Sequence, residues 1–249
     1  MARVDGEGLM DQASGGVEEP GVSSSVGARV GGPMASRRRN ARGEGSKLAD
    51  EIVEGALALI ARSGSEAVTL RSVARQVGIA APSIYAHFPD RTAILQAAVV
   101  RTFDDLLRCV EEAVVAYSDP FEQLVAGCEA YVAFGLENPG RYGALFVRGN
   151  LRPESLVAVP FPFEELPPVG GEAFAVLVDG IRGCIDAGIS SSTDPFADAT
   201  GLWVALHGTV SLWTSMCEGQ WPEGGDFIRG LVATLARVDP SRYGSRRER

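Results

Sequence analysis

Side chains able to perform acid–base or metal chemistry are scarce in this sequence. There are two histidines, His87 and His207, and the cysteines lie far apart at Cys109, Cys128, Cys184 and Cys217. A catalytic triad needs a histidine with partners of the right type, and a zinc site needs closely spaced Cys or His ligands. Neither pattern occurs, and the Gly-rich segments lack the Lys-Ser/Thr of a phosphate loop. The sequence therefore predicts no catalytic residue, no metal and no cofactor, with the cysteines as reduced thiols packed in the core.

Charge is distributed unevenly along the chain. The net charge is −9, yet residues 35–91 hold nine Arg and Lys residues against six Asp and Glu residues. The rest of the chain holds 14 basic and 26 acidic residues. A small basic module joined to an acidic body is typical of a protein that binds nucleic acid through one part only.

A basic arm precedes the first predicted helix. It comprises Arg37, Arg38, Arg39, Arg42 and Lys47. Such an arm can follow phosphates or enter a minor groove. The alternative is a solvated tail that only aids solubility.

Helices are the elements that must position these side chains. Apolar residues recur at spacings of three and four, and we predict an all-α fold. The predicted helices cover residues 47–63, 70–77, 81–87, 90–100, 101–117, 120–136, 139–147, 171–187, 195–217 and 223–237. Asp90, Asp119, Asn138 and Asp194 are predicted N-caps, the last three with proline at the next position. Residues 148–170 are rich in proline and are predicted to form a long loop.

Two of these helices are short and joined by a tight turn within residues 69–88. Thr69 can cap the first, and Gly78 can adopt the left-handed conformation that ends it. Pro82 suits the first turn of the second, and Ile84 and Phe88 face inward. This arrangement is typical of a helix-turn-helix that places its second helix in the major groove of DNA. The alternative is an ordinary helical hairpin inside a larger bundle.

Residues 47–95 resemble the N-terminal domain of TetR-family repressors. The strongest match runs from Ile84 to Leu95, where Tyr-x-His-Phe ends the recognition helix; Arg91 stands where lysine is usual. The resemblance implies a groove-facing set and a phosphate-contacting set. The groove-facing set is Arg71, Ala81, Pro82, Ser83 and Tyr85, and the phosphate-contacting set is Thr69, His87 and Arg91. Packing between helices is the alternative for Tyr85 and His87.

Aromatic side chains are the notable feature of residues 101–237. We expect an apolar ligand pocket lined by Tyr131, Phe134, Phe146, Phe174, Trp203 and His207. Plain core packing is the alternative for each, and a buried structural role is favoured for His207. The segment 202–212 resembles a TetR C-terminal subgroup named for its Trp, His and Gly.

The family resemblance also implies an organisation and a function. A three-helix DNA-binding domain would cover 47–95, and a helical ligand-binding and dimerisation domain would cover 96–240. The last two helices would form a four-helix interface in a homodimer, with close approach at Gly201, Ala205, Gly208 and Ser211. The implied function is a repressor released from double-stranded, palindromic operator DNA by a small apolar effector. An architectural or partner-binding protein without a small ligand is the alternative, and an all-helical enzyme is disfavoured because carboxylates are scattered.

The chain ends are predicted to be disordered tails, at residues 1–46 and 241–249. Met34 is an alternative natural start. Since the sequence lacks a signal peptide and an apolar span of membrane length, we expect a cytoplasmic protein with no membrane partner.

Overall fold

A computed structural model of the chain describes residues 45–146, 168–216 and 224–239, and these parts are helical. Eight α-helices occur there: α1 Gly45–Ser63, α2 Leu70–Val77, α3 Arg91–Val114, α4 Pro120–Glu137, α5 Pro139–Leu145, α6 Pro168–Asp186, α7 Pro195–Ser215 and α8 Gly224–Leu235. Two 3₁₀ helices lie at Ser65–Ala67 and at Ala81–Ala86, and the second is called the recognition segment below. The described residues contain no β-strand, only an isolated bridge between Ser190 and Val238. The predicted all-α fold is confirmed.

Three predicted boundaries were wrong. Residues 90–100 and 101–117 form one helix, α3, because no Gly or Pro interrupts the run at the predicted break. Residues 81–87 are 3₁₀ rather than α-helical over most of their length. Helix α6 begins at Pro168, inside the predicted loop, because proline is well tolerated in a first helical turn. The rest of that loop and most of the two predicted tails lie outside the described residues.

Helix starts follow the predicted caps with one exception. The side chains of Asp90, Asp119 and Asp194 each accept hydrogen bonds from backbone N–H groups of the first turn they precede, at 2.8–3.0 Å. Asn138 was predicted to do the same but does not. Since α5 begins immediately after α4, the backbone N–H and side-chain Nδ2 of Asn138 both donate to the Phe134 carbonyl and close the end of α4 instead.

The buried side chains form two hydrophobic cores. The first, which we call the head, joins α1, α2, the recognition segment and the start of α3 around Ile52, Ile60, Ile84 and Leu95. The second, the body, joins the rest of α3 to α4, α6, α7 and α8. Helix α3 passes through both without a break. The described residues include no helix long and apolar enough to cross a membrane.

Helix α5 belongs to both cores. Its Ala144 packs in the head, whereas Tyr142 and Leu145 pack in the body. Its Gly140 lies against the backbone of α1: a Cβ there would be 2.7 Å from the Ile60 carbonyl oxygen. The absence of a side chain at Gly140 therefore sets how closely the body approaches the head.

Candidate functional site

Helix α2 and the turn after it are fixed by local hydrogen bonds. The Thr69 hydroxyl accepts from the Ser72 backbone N–H at 3.0 Å, and the Thr69 backbone N–H donates to the Ser72 hydroxyl at 2.8 Å. Gly78 ends the helix in the left-handed region, with φ 77° and ψ 33°. The backbone N–H groups of Gly78 and Ile79 both donate to the Ala74 carbonyl at 2.9 Å. The helix-turn-helix geometry predicted for this segment is present.

The recognition segment turns polar and aromatic groups outward. Ile84 is fully buried and anchors the segment to the head core. In a 3₁₀ helix residues three apart share a face, so Pro82 and Tyr85 lie together on an outer face. Pro82 and Ser83 are exposed, and Tyr85 is 60% exposed, whereas Ala81 and His87 are half-buried. An exposed tyrosine at this position has surface available for a large partner.

The remaining predicted DNA contacts lie in different environments. Arg71, on α2, and Lys47, in the first turn of α1, are exposed. Thr69 is exposed, but its hydroxyl is used in the helix cap. Arg42 lies outside the described residues. All of these contacts stay predictions.

Arg91 has an internal role that the sequence analysis missed. Its Nε donates to the Val68 carbonyl at 2.7 Å, and its Nη2 donates to the Ser65 carbonyl at 3.0 Å. The same guanidinium lies 3.5 Å from the Glu66 carboxylate. Arg91 therefore ties the start of α3 to the turn before α2, and its predicted phosphate contact would have to be made by the exposed remainder of the group.

Four of the six predicted ligand residues come together in the body. Together with Tyr142 they form what we call the aromatic cluster: Tyr131, Tyr142, Phe146, Trp203 and His207. The other two are buried core residues, and Phe174 packs edge-on against Phe196 with ring centroids 5.3 Å apart. Ligand contact by Phe134 and Phe174 stays a prediction.

A chain of hydrogen bonds runs through the aromatic cluster. The hydroxyls of Tyr131 and Tyr142 are 2.8 Å apart, and the Tyr142 hydroxyl is 2.8 Å from Nδ1 of His207. The Trp203 and His207 rings, one helical turn apart on α7, stack at 5.9 Å with 21° between their planes. Tyr142 was not predicted as a site residue, because its partners lie 11 and 65 residues away in the sequence.

Burial keeps this cluster uncharged near neutral pH. Loss of hydration lowers the pKa of His207 below its ordinary value. Burial also raises the pKa of Tyr131 to about 12 and that of Tyr142 further. The cluster is therefore a set of neutral donors and acceptors among aromatic rings, with no Arg or Lys among its members.

Among the described residues, nothing packs against one side of α7 and of α8, and we call these the bare faces. A Cβ added at Gly201, Gly208 or Gly230 would meet nothing within 4 Å. Val204 and Leu212, on α7, are about half exposed, at 53% and 48%. Apolar and glycine positions with no cover are suited to close packing against another helix.

The cysteines and acidic residues give no second site. No group of three or more His, Cys, Asp or Glu side chains in the described parts of the chain could hold a metal ion. Cys128 and Cys184 are buried as predicted, and burial raises the pKa of Cys184 to about 11. Cys109 is exposed, so its predicted core position was wrong; it lies on the outer face of α3, where the helix surface is mostly charged. Cys217 lies outside the described residues.

Two protein-family models match this chain, one near its N-terminal end and one in its C-terminal half. Residues 52–98 match the sequence model of the bacterial regulatory proteins of the tetR family, and residues 124–224 match a tetracyclin repressor-like C-terminal domain. This C-terminal match does not carry the Trp-His-Gly description, so that subgroup stays a prediction.

Individual relatives agree with these matches. An uncharacterised helix-turn-helix transcriptional regulator of Mycobacterium tuberculosis is 28% identical over 73% of this chain and 78% of its own length. The transcriptional repressor KstR of Mycolicibacterium smegmatis is 30% identical over 29% of this chain and 36% of its own length. The crystal structure of the TetR-family regulator PfmR from Thermus thermophilus superposes with a TM-score of 0.55 at 20% identity, covering 75% of this chain and 97% of that one.

The two family matches lie in tandem, one over the head and one over most of the body, and the observed helix-turn-helix lies inside the first. The chain therefore belongs to the TetR family of transcriptional regulators.

Proposed function

We propose that this regulator is a homodimeric repressor that a small, largely apolar ligand releases from a palindromic operator. In this proposal the head binds double-stranded DNA in the cytoplasm, the aromatic cluster binds the effector, and α7 and α8 form the dimer interface. The observation that carries the proposal is helix α5. It contributes Tyr142 to the aromatic cluster and Ala144 to the head core within three residues.

Helix α5 connects the proposed ligand site directly to the head, so a movement at the site can be transmitted to α1. A ligand that displaces Tyr142 or Phe146 acts on a helix of seven residues, whose Gly140 abuts the α1 backbone. Such a helix has little room to bend, so its displacement reaches α1. A ligand can shift the balance between two states only through its different affinities for them. The proposal therefore requires that the ligand binds less tightly to the DNA-bound state, in which the aromatic cluster is closed, than to the released state.

Dimerisation supplies specificity. A recognition segment of six residues reads few base pairs, whereas two copies read two half-sites about 34–36 Å apart. The bare faces of α7 and α8 support pairing with a second copy. The proposal includes membership of the Trp-His-Gly subgroup, in which Trp203 and His207 would serve the ligand site, since both belong to the aromatic cluster, and Gly208 would serve the interface, since it lies on the bare face of α7.

DNA binding is tested with purified protein on DNA from upstream of its own gene and on random DNA of equal length. We expect a preference of about 10³-fold or more at physiological salt. Arg71→Ala and Tyr85→Ala should each reduce the preference, because both side chains are exposed on the proposed DNA face. Arg182→Ala is the matched control, since Arg182 is an exposed arginine of α6 paired with Asp179.

Equal binding to both DNAs, unaffected by the head variants, would contradict the repressor proposal and favour an architectural protein. Retention of the preference in Arg71→Ala, with the same ranking of operator variants, would remove the base-reading role of Arg71 alone.

A further inference from the structure

We propose that Arg91 fixes the orientation of the recognition segment by fastening the two ends of the helix-turn-helix together. In this role Arg91 is a positioning residue for operator binding, and it does not act through a phosphate contact. This inference rests on the proposed function and deepens it at the same DNA-binding site.

Arg91 closes a loop of chain that contains the whole helix-turn-helix. It follows the recognition segment, which ends at Ala86, and its Nε donates to the carbonyl of Val68 at 2.7 Å. Val68 directly precedes Thr69, the N-cap of α2. A second bond runs from Nη2 to the Ser65 carbonyl at 3.0 Å. Two bonds from one planar guanidinium fix its orientation as well as its distance, so the starts of α2 and α3 are held together.

The turn that accepts these bonds is itself rigid. Val68 is fully buried, and Ser65 is 8% exposed. The Ser65 carbonyl also accepts from the Val68 backbone N–H at 3.1 Å, and the Ser72 hydroxyl donates to the Ala67 carbonyl at 2.7 Å. Because this turn is closed by its own hydrogen bonds, it has little freedom to absorb a movement of Arg91. A displacement at the start of α3 therefore reaches α2.

The other contacts of Arg91 do not account for an arginine at this position. Arg91 is the first residue of α3, where the positive end of the helix dipole disfavours a cation. Its ion pair with Glu66 spans 3.5 Å, and the Glu66 side chain is 88% exposed, so the pair contributes little. The two carbonyl bonds remain as the reason for the guanidinium. Swinging the group out towards a phosphate would break both of them.

A lysine variant separates the two roles. Lysine keeps the positive charge that a phosphate needs, but it lacks the planar fork that reaches two carbonyls at once. In full-length Arg91→Lys the preference for upstream DNA over random DNA should fall about tenfold, the effect of about one mismatched base pair. Arg101→Lys is the matched control and should keep the preference. Arg101 is a similarly exposed arginine of α3, and its partners Asp50 and Glu54 are carboxylates that lysine can also bind.

The salt dependence of binding to random DNA distinguishes positioning from phosphate contact. Each lost phosphate contact reduces the slope of log K against log salt by about 0.9. Arg91→Gln should lose the preference for upstream DNA with this slope unchanged. A smaller slope in Arg91→Gln that Arg91→Lys restores, together with the preference, would overturn the positioning role and assign a phosphate contact instead.

Hydrogen exchange without DNA reports on the fastening itself. Backbone amides of α2 and of the recognition segment should exchange about three- to tenfold faster in Arg91→Lys than in the wild type or Arg101→Lys, the effect of one lost hydrogen bond on local opening. Amides of α6 and α7 should not change, which excludes a general loss of stability.

Unchanged exchange in α2, or a wild-type preference in Arg91→Lys, would reject the inference. Absence of any preference in the wild-type protein would reject the proposed function instead. The exchange rates would then decide on their own whether Arg91 fixes the helix-turn-helix.

Discussion

Adding one methyl group to α5 at Gly140 should separate the head from the body. In Gly140→Ala the new Cβ would lie 2.7 Å from the Ile60 carbonyl oxygen and 3.1 Å from the Ala61 Cα. Both atoms are backbone, so no side-chain rotation can relieve the contact. Either α5 or α1 must move.

The size of the effect is obtained by comparison with Gly143→Ala on the same helix. A Cβ at Gly143 meets nothing within 4 Å. Alanine in place of glycine stabilises a helix interior by up to about 1 kcal/mol, and this gain applies to both variants, though less fully in the first turn. Overpacking against fixed atoms costs about 1–3 kcal/mol. We therefore expect Gly140→Ala to be about 1–3 kcal/mol less stable than Gly143→Ala.

Thermal and urea unfolding at one fixed protein concentration measure this difference, since the stability of a dimer depends on concentration. For chains of 150–250 residues each kcal/mol shifts Tm by about 2–4 °C. Operator affinity should change in Gly140→Ala and not in Gly143→Ala, because only the first alters the contact with α1. Equal stability and equal operator affinity of the two variants would refute the argument that Gly140 sets the approach of the two cores.

Three further predictions concern the body. Asp119→Ala should lower the free energy of unfolding by about 0.5–2 kcal/mol, because two N–H groups of α4 lose their acceptor; unfolding curves that match the wild type would contradict the cap. Glu122→Gln should cost about 1–3 kcal/mol, because the Arg229 guanidinium, bound through two nitrogens and 13% exposed, would lose its counter-charge; Asp179→Asn, in an exposed pair with Arg182, is the control and should have no measurable effect on unfolding. Burial lowers the pKa of His207, so the folded state binds fewer protons than the unfolded state, and stability should fall as the pH drops below about 6.5. His207→Gln should remove this part of the pH dependence, and an unchanged slope would exclude His207 as its source.

Features encoded by neighbouring residues were predictable from sequence. The Thr69 cap, the left-handed Gly78 and the Asp90 cap each depend on a side chain and a backbone group within a few positions. Asn138 was mispredicted because it both ends α4 and precedes α5. The sequence pattern does not reveal whether its side-chain amide caps the end of the first helix or the start of the second. The continuity of α3 was missed for a related reason, since two amphipathic helices in succession have the same period as one long helix.

The chemistry of the site depended on long-range contacts and was only partly predictable. Residue types pointed to Tyr131, Trp203 and His207 as an aromatic group with polar atoms. The chain of hydrogen bonds that joins Tyr131 to His207 through Tyr142 requires α4, α5 and α7 to meet, which no local pattern specifies. The internal hydrogen bonds of Arg91 were missed because the family resemblance predicts a DNA contact at this position and gives no information on the backbone carbonyl groups near it.

The shared helix α5 also has a consequence for the order in which the protein is made. The head core includes Ala144, which lies 92 positions after Ile52 in the same core. Domains form as units during synthesis, starting from the N-terminus, yet this head cannot complete its core until α5 has emerged from the ribosome together with α4. A chain cut after the helix-turn-helix would expose the apolar surface that Ala144 covers. Exchanging heads between regulators of this type would therefore require exchanging the matching face of α5 as well.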